Sequence, residues 1–150
     1  MDLDYILKAA QKASLPLRSH AAKEAFQRCL LAKLQEHGLL NDVAFIGGTA
    51  LRLLHGLPRY SEDLDFIWIS PDKTVGLAEW ANTLKSAFKG QNITVHLGKK
   101  AAEKVDALVE KHSATIYFLA TSSAMGSFAR QGIQISFEID LNPPDHFVKV

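Results

Sequence analysis

The chain has 150 residues, with 17 basic and 16 acidic side chains and a formal net charge of +1. A chain of this length is expected to form one domain with its own core, and its near-neutral charge gives no reason to expect a dedicated nucleic-acid binder. The single cysteine, Cys29, excludes an internal disulfide. Since no signal peptide or long apolar run is found either, we predict a cytoplasmic protein that does not enter a membrane.

The first forty residues are predicted to form two helices, one from Asp4 to about Ala13 and a longer one from about Ser19 to Gly38. In the longer segment apolar residues recur at steps of three to four, with charged residues between them. Ser19 is the predicted N-cap, and Gly38 is the predicted stop.

Residues 41–150 show a different pattern, in which short apolar runs alternate with helix-like stretches. The predicted strands are 43–46, 64–69, 93–97, 115–120 and 133–141. The predicted helices between them are 49–55, 73–89 and 99–111. Interleaved strands and helices indicate an α/β or α+β domain. We expect one domain over residues 1–150, with a mixed sheet of about five strands flanked by helices and two N-terminal helices packed on its back.

The last predicted strand has the clearest pattern. Apolar residues from Ile133 to Leu141 alternate with polar ones, which is typical of a strand with one buried face. The polar face carries two carboxylates, Glu138 and Asp140.

A glycine-rich turn follows the first predicted strand and opens a short helix. Gly47 and Gly48 let backbone N–H groups approach a ligand closely, and the helix N-terminus adds a partial positive charge. Thr49 adds a hydroxyl donor. The turn therefore suits a phosphate group.

Two carboxylates, Asp63 and Asp65, stand at i and i+2 where the next strand begins, so both face the same side of that strand. Oxygen ligands of this kind suit a hard cation such as Mg²⁺, which also takes water and substrate phosphate oxygens. A third carboxylate would help to hold two metal ions, and Glu138 or Asp140 could supply it. Together with the phosphate turn, this pattern indicates phosphoryl or nucleotidyl transfer.

These motifs resemble a known superfamily. The Gly47-Gly-Thr turn, thirteen intervening residues and Asp63-Leu-Asp65 resemble the signature of the DNA polymerase β-type nucleotidyltransferases. Within that superfamily, the stretch 47–66 is very similar to the AbiEii/AbiGii group, the nucleotidyltransferase-like toxins of bacterial type IV toxin–antitoxin and phage-abortive systems. The resemblance implies a nucleotidyltransferase fold.

The resemblance also implies roles for single residues. Gly48 and Thr49 would contact the triphosphate of the nucleotide, and Asp63 and Asp65 would hold Mg²⁺ or Mn²⁺. The third acidic position of the family lies in an apolar-Glu-Ile strand, which favours Glu138 over Asp140.

Two further residues, Arg59 and Ser61, match the family's Arg-x-Ser-x-Asp-Leu-Asp wording. The resemblance implies that Arg59 contacts phosphate and that Ser61 supports the triphosphate or the loop. Related proteins continue into a C-terminal helical half, and nothing in this chain up to Val150 matches it. We therefore expect an N-terminal part of such a protein or a shortened relative.

The implied activity is transfer of a nucleoside monophosphate from a nucleoside triphosphate to an acceptor hydroxyl. The implied acceptor is RNA, such as a tRNA end, and the implied partner is an antitoxin protein. Two alternatives stay open: a relative that binds nucleotide or a partner protein without turnover, and a transferase that acts on small molecules such as aminoglycosides.

Overall fold

The computed structural model describes residues 2–69, 77–97, 109–110, 113–123 and 132–140. The helices in these ranges are α1 (Asp2–Lys12), α2 (Arg18–Glu36), α3 (Gly47–His55) and α4 (Leu77–Ser86). The strands are β1 (Val43–Ile46), β2 (Asp63–Trp68), β3 (Thr94–Leu97), β4 (Val109–Glu110), β5 (Ser113–Thr121) and β6 (Ile133–Asp140). The predicted class, a mixed α/β domain with helices around one sheet, is confirmed.

The strands form one sheet in the order β1-β2-β6-β5-β3, and β4 pairs with the first two residues of β5. Strands β2 and β6 run parallel, whereas the other pairs are antiparallel. Because β2 and β6 are adjacent, this topology brings together two segments that are far apart in the sequence. The carboxylates of both segments therefore lie in the centre of the sheet.

The core lies on one face of this sheet. Along β6 the apolar residues are buried and Gln134, Glu138 and Asp140 are exposed, as the alternation predicts. The Phe137 ring stacks on Phe66 at 5.1 Å and meets Phe118 edge-on at 5.0 Å between ring centroids. Trp80 of α4 meets the same ring edge-on, so this helix packs on the buried face. The opposite face carries Asp65, Glu138 and Asp140, together with the apolar Ile67.

Helix α2 begins differently from the prediction. Leu17 occupies the N-cap position without a side-chain hydrogen bond, and Ser19 lies inside the helix. The prediction of Ser19 as N-cap is wrong because a 3-10 turn over Leu15–Leu17 leads directly into the helix. The predicted stop is confirmed, since Gly38 has a φ of +71° just beyond the helix end.

The predicted helix over 99–111 is wrong at its end, where Val109–Glu110 pair with β5 as a strand. Residues 99–108 and 111 lie outside the described residues, as do 73–76 of the predicted helix 73–89 and the predicted strand end at residue 141. Among the helices that are described, none is long and apolar enough to cross a membrane.

Cys29 lies in the core, with 5% of its surface exposed. Burial, followed by the charge of Asp2, raises the pKa of its thiol to about 12. Because the thiolate is the reactive form, we expect native protein to resist iodoacetamide at pH 8 and protein unfolded in guanidinium to react fully. Mass spectrometry of the alkylated protein measures the difference. Rapid labelling of the native protein would contradict this expectation.

Candidate active site

The central feature of the site is a pair of carboxyl groups on neighbouring parallel strands. Asp65 of β2 is the register partner of Glu138 of β6, and Asp63 pairs with Ser136. Partners in such a register face the same side of the sheet. The Asp65 and Glu138 side chains lie beside each other, and their interaction lowers the pKa of Asp65 and raises the pKa of Glu138. Two segments more than seventy residues apart thus meet at one point.

The environment raises the pKa of all three carboxyl groups. For Asp63 the causes are burial and then the negative charges of Glu138 and Glu62, while Lys23 of α2 acts in the opposite direction. Burial is also the main cause for Asp65, where the nearby side chain of Glu138 opposes it. For Glu138, which is exposed, partial loss of water contact around the carboxyl group is followed by the charge and the nearby side chain of Asp65. The three carboxylates therefore repel one another when they are ionised, and a bound cation would reduce that repulsion.

The fit of a metal ion to these residues depends on its other ligands. Among the described residues, no three His, Cys, Asp or Glu side chains are arranged so that they could hold one ion by themselves. Mg²⁺ usually takes only one or two carboxylates and fills its remaining positions with water and substrate phosphate oxygens. Asp65 and Glu138 fit that pattern, in which the ion is bound together with a phosphate-bearing substrate.

Asp140, the other candidate for the third carboxylate, is not brought to this pair. It is the register partner of Ile67, two residues beyond Glu138 along β6. Two residues of strand correspond to about 6.6 Å, so Asp140 lies farther from Asp65 than Glu138 does. The register thus brings Glu138, and not Asp140, to Asp65.

The glycine turn lies against the carboxylates. Gly47 has a φ of +83°, and a Cβ atom at this position would overlap the Asp65 carboxylate. A Cβ on Gly48 would stand 3.3 Å from Ser61 Oγ. No side chain caps the first turn of α3, which begins at Gly47. The first backbone N–H groups of α3 therefore have no side-chain cap, and the turn lies next to Asp65 and Ser61, as an anion site requires.

Thr49 differs from its predicted role. Its side chain is fully buried, and its hydroxyl donates a hydrogen bond to the backbone carbonyl of Asp63. A threonine hydroxyl has one proton to donate, so this hydroxyl is not available to a phosphate. The side chain of Thr49 instead holds the beginning of β2 against α3, and only its backbone N–H remains for an anion.

Arg59 and Ser61 lie on the connection between α3 and β2. Ser61 is half-buried, and its carbonyl accepts a hydrogen bond of 2.9 Å from the Gln27 amide of α2. Arg59 is exposed on the same connection, two residues before Ser61. The structure therefore brings Gly47, Gly48 and Ser61 to the carboxylates and leaves Arg59 at the rim.

Sequence reasoning missed the contacts that hold this connection. Arg52 of α3 forms an ion pair with Glu24 of α2 and donates to the Leu57 carbonyl at 3.0 Å. Its guanidinium also lies 4.0 Å from the centroid of the Tyr60 ring, which His20 stacks on. The one available signal was Gln27, a polar residue beside the apolar positions of α2; the Arg52 and Glu24 pairing left no pattern in the sequence.

The sheet, the glycine turn at α3 and the carboxylates of the parallel strands define a domain of the nucleotidyltransferase kind. The chain belongs to the AbiEii family, described as a nucleotidyl transferase toxin of a type IV toxin–antitoxin system, whose sequence model matches residues 28–149. No match is found among curated proteins.

Two crystal structures of Helicobacter pylori proteins share the fold. JHP933 is 20% identical with a TM-score of 0.55, over 87% of this chain and 48% of its own. A protein described as a proposed nucleotidyltransferase is 21% identical with a TM-score of 0.55, over 92% of this chain and 52% of its own. The chain thus spans about half the length of these two proteins.

Proposed function

We propose that this domain transfers a nucleoside monophosphate from a nucleoside triphosphate to an acceptor hydroxyl and releases pyrophosphate. The observation that carries the proposal is the contact between the Gly47 turn and the Asp65 carboxylate. An anion-binding turn and a carboxylate pair at the same point match a substrate that brings phosphate groups and a cation together.

In the proposed reaction the N–H groups at the start of α3 bind the phosphates, and Ser61 stands beside them. The acceptor oxygen bonds to the α-phosphorus while the bond from that phosphorus to the pyrophosphate oxygen breaks. The ionised form of Glu138 accepts the hydroxyl proton, and the raised pKa of its carboxyl group suits a general base. Asp65 is its register partner, and the charge of Asp65 helps to raise that pKa.

Asp65 and Glu138, with Asp63 beside them, are the residues that would hold Mg²⁺ or Mn²⁺. A divalent ion bound there supplies charge neutralisation for the phosphates and for the developing negative charge. The excess of negative charge in the cluster supports this assignment.

For the acceptor we propose RNA, such as a tRNA end, and for the partner a cognate antitoxin that blocks the reaction, in the cytoplasm where triphosphates and RNA occur together. The family membership supports the toxin role. A second candidate function is nucleotide binding without turnover. It requires only the glycine turn, where Gly48 lies opposite Ser61 Oγ, and not the carboxylates.

A labelling experiment separates these functions. The protein is incubated with each α-labelled nucleoside triphosphate, Mg²⁺ and either total tRNA or an aminoglycoside. We expect labelled tRNA, with loss of at least about a hundredfold in Asp63→Asn and Asp65→Asn. The control is Asp4→Asn, an exposed carboxylate on α1 that should keep full activity. Triphosphate binding without labelling would support the second function, and a labelled aminoglycoside would replace RNA by a small acceptor.

A further inference from the structure

A buried glutamine connects α2 to the candidate site. The side chain of Gln27 is fully buried, and its Nε2 donates to the Ser61 carbonyl at 2.9 Å. Its Oε1 is also buried and has no hydrogen-bond partner among the described residues. Burying an amide that is only half satisfied costs free energy, which an apolar side chain would not. The residue is therefore poorly explained by stability alone.

The Ser61 carbonyl lies in a segment that lacks a strand partner on one side. Strand β1 pairs with β2 only from Val43 opposite Trp68 to Ile46 opposite Asp65. Residues 61–63 come before that point, where α3 has replaced β1. There the Asp63 carbonyl accepts a hydrogen bond from Thr49 of α3, and the Ser61 carbonyl accepts one from Gln27 of α2. Side chains of two helices thus supply donors that β1 does not.

Ser61 lies next to the glycine turn that would bind an anion. Its Oγ stands opposite Gly48, 3.3 Å from where a Cβ would be, and Asp63 follows two residues later. A shift of the Ser61 backbone therefore changes the wall of the glycine turn and the start of the carboxylate strand together. A second set of contacts joins α2 to the same connection: Glu24 pairs with Arg52, and Arg52 donates to the Leu57 carbonyl near the beginning of the connection.

We propose that Gln27 is a positioning residue for triphosphate binding: its amide fixes Ser61 over Gly48 and so sets the shape of the turn that receives the phosphates. The inference rests on the proposed function and adds to it a residue of α2 that touches neither the nucleotide nor the carboxylates. It also separates the role of Gln27 from that of Thr49, which donates to the Asp63 carbonyl two residues farther along the chain.

The test is Gln27→Met, which keeps the volume and length of the side chain and removes the donor. The control is Gln35→Met, an exposed glutamine on the same helix. Binding of ATP, GTP, CTP and UTP with Mg²⁺ is measured by calorimetry, and melting temperatures are measured in parallel. We expect Gln27→Met to raise the Kd of the preferred triphosphate about tenfold, the effect of about one hydrogen bond, and Gln35→Met to leave it unchanged. The melting temperature of Gln27→Met should stay close to that of the wild type, because the buried Oε1 is lost as well.

The other outcomes are distinguishable. A lower melting temperature with an unchanged Kd assigns Gln27 a structural role and overturns the inference alone. Wild-type protein that binds no triphosphate overturns the proposed function and the inference together. If Gln27→Met does not fold, Gln27→Leu, whose side chain is shorter and also lacks the donor, serves in the same comparison with the same expected increase in Kd.

Discussion

Replacing Gly47 by alanine is expected to destabilise the protein by about 3 kcal/mol or more and to abolish triphosphate binding. Two costs add at this position. The φ of +83° is strained for any residue with a Cβ, and the added carbon would overlap the Asp65 carboxylate. Asp65 must then leave its place beside Glu138, so the substitution damages the fold and the site together. Urea unfolding and nucleotide calorimetry measure the two effects.

Gly90→Ala provides a matched control for the backbone. Gly90 has nearly the same φ, +81°, but a Cβ there would meet nothing within 4 Å. It should cost only the conformational penalty, about 1–2 kcal/mol, and leave binding intact. Equal destabilisation by the two substitutions would show that the turn does not press against Asp65, and would remove the observation on which the proposed function rests.

Much of the fold was predictable because local patterns decide it. The alternation in β6 predicted its buried and exposed faces, and the strand Val43–Ile46 was predicted with its observed bounds. Gly38 ends α2 through its own positive φ, which needs no tertiary contact. The failures have non-local causes. The two-residue strand β4 exists only through its pairing with β5, and a helical pattern cannot predict that pairing.

Some features of the candidate site follow from local sequence patterns, and others depend on contacts between distant segments. The sequence pattern put Asp63 and Asp65 on one face of a strand, but it left Glu138 and Asp140 as equal alternatives by periodicity. The register between β2 and β6 separates them, and register between distant strands is fixed by packing of the whole sheet. The hydroxyl of Thr49 was expected to face a phosphate because its partner, the Asp63 carbonyl, is recognisable only in the folded chain.

Asp65→Asn is expected to remove the proposed nucleotidyl transfer and, without divalent ions, to raise the stability of the protein at neutral pH. Burial raises the pKa of Asp65, and Asp63 adds its repulsion. An acid with a raised pKa holds more protons in the folded state than in the unfolded state. The stability it contributes is therefore complete at low pH and is lost as the pH rises above about 4 and through the raised value. An uncharged amide escapes this loss.

The expected gain is about 0.5–1 kcal/mol, the usual cost of like charges on neighbouring strands, or roughly 1–4 °C in melting temperature for a chain of this size. It is measured by thermal unfolding between pH 4 and pH 8 with EDTA and with Mg²⁺ plus triphosphate. In EDTA, the melting temperature of the wild type should fall relative to that of Asp65→Asn as the pH rises from 4 to 8. Mg²⁺ with triphosphate should raise the melting temperature of the wild type only. Asp4→Asn serves as the control because Asp4 is exposed on α1, away from the cluster. If the variant melts at a lower temperature than the wild type across this pH range, Asp65 stabilises the fold. The carboxylates would then not repel one another enough to require a cation.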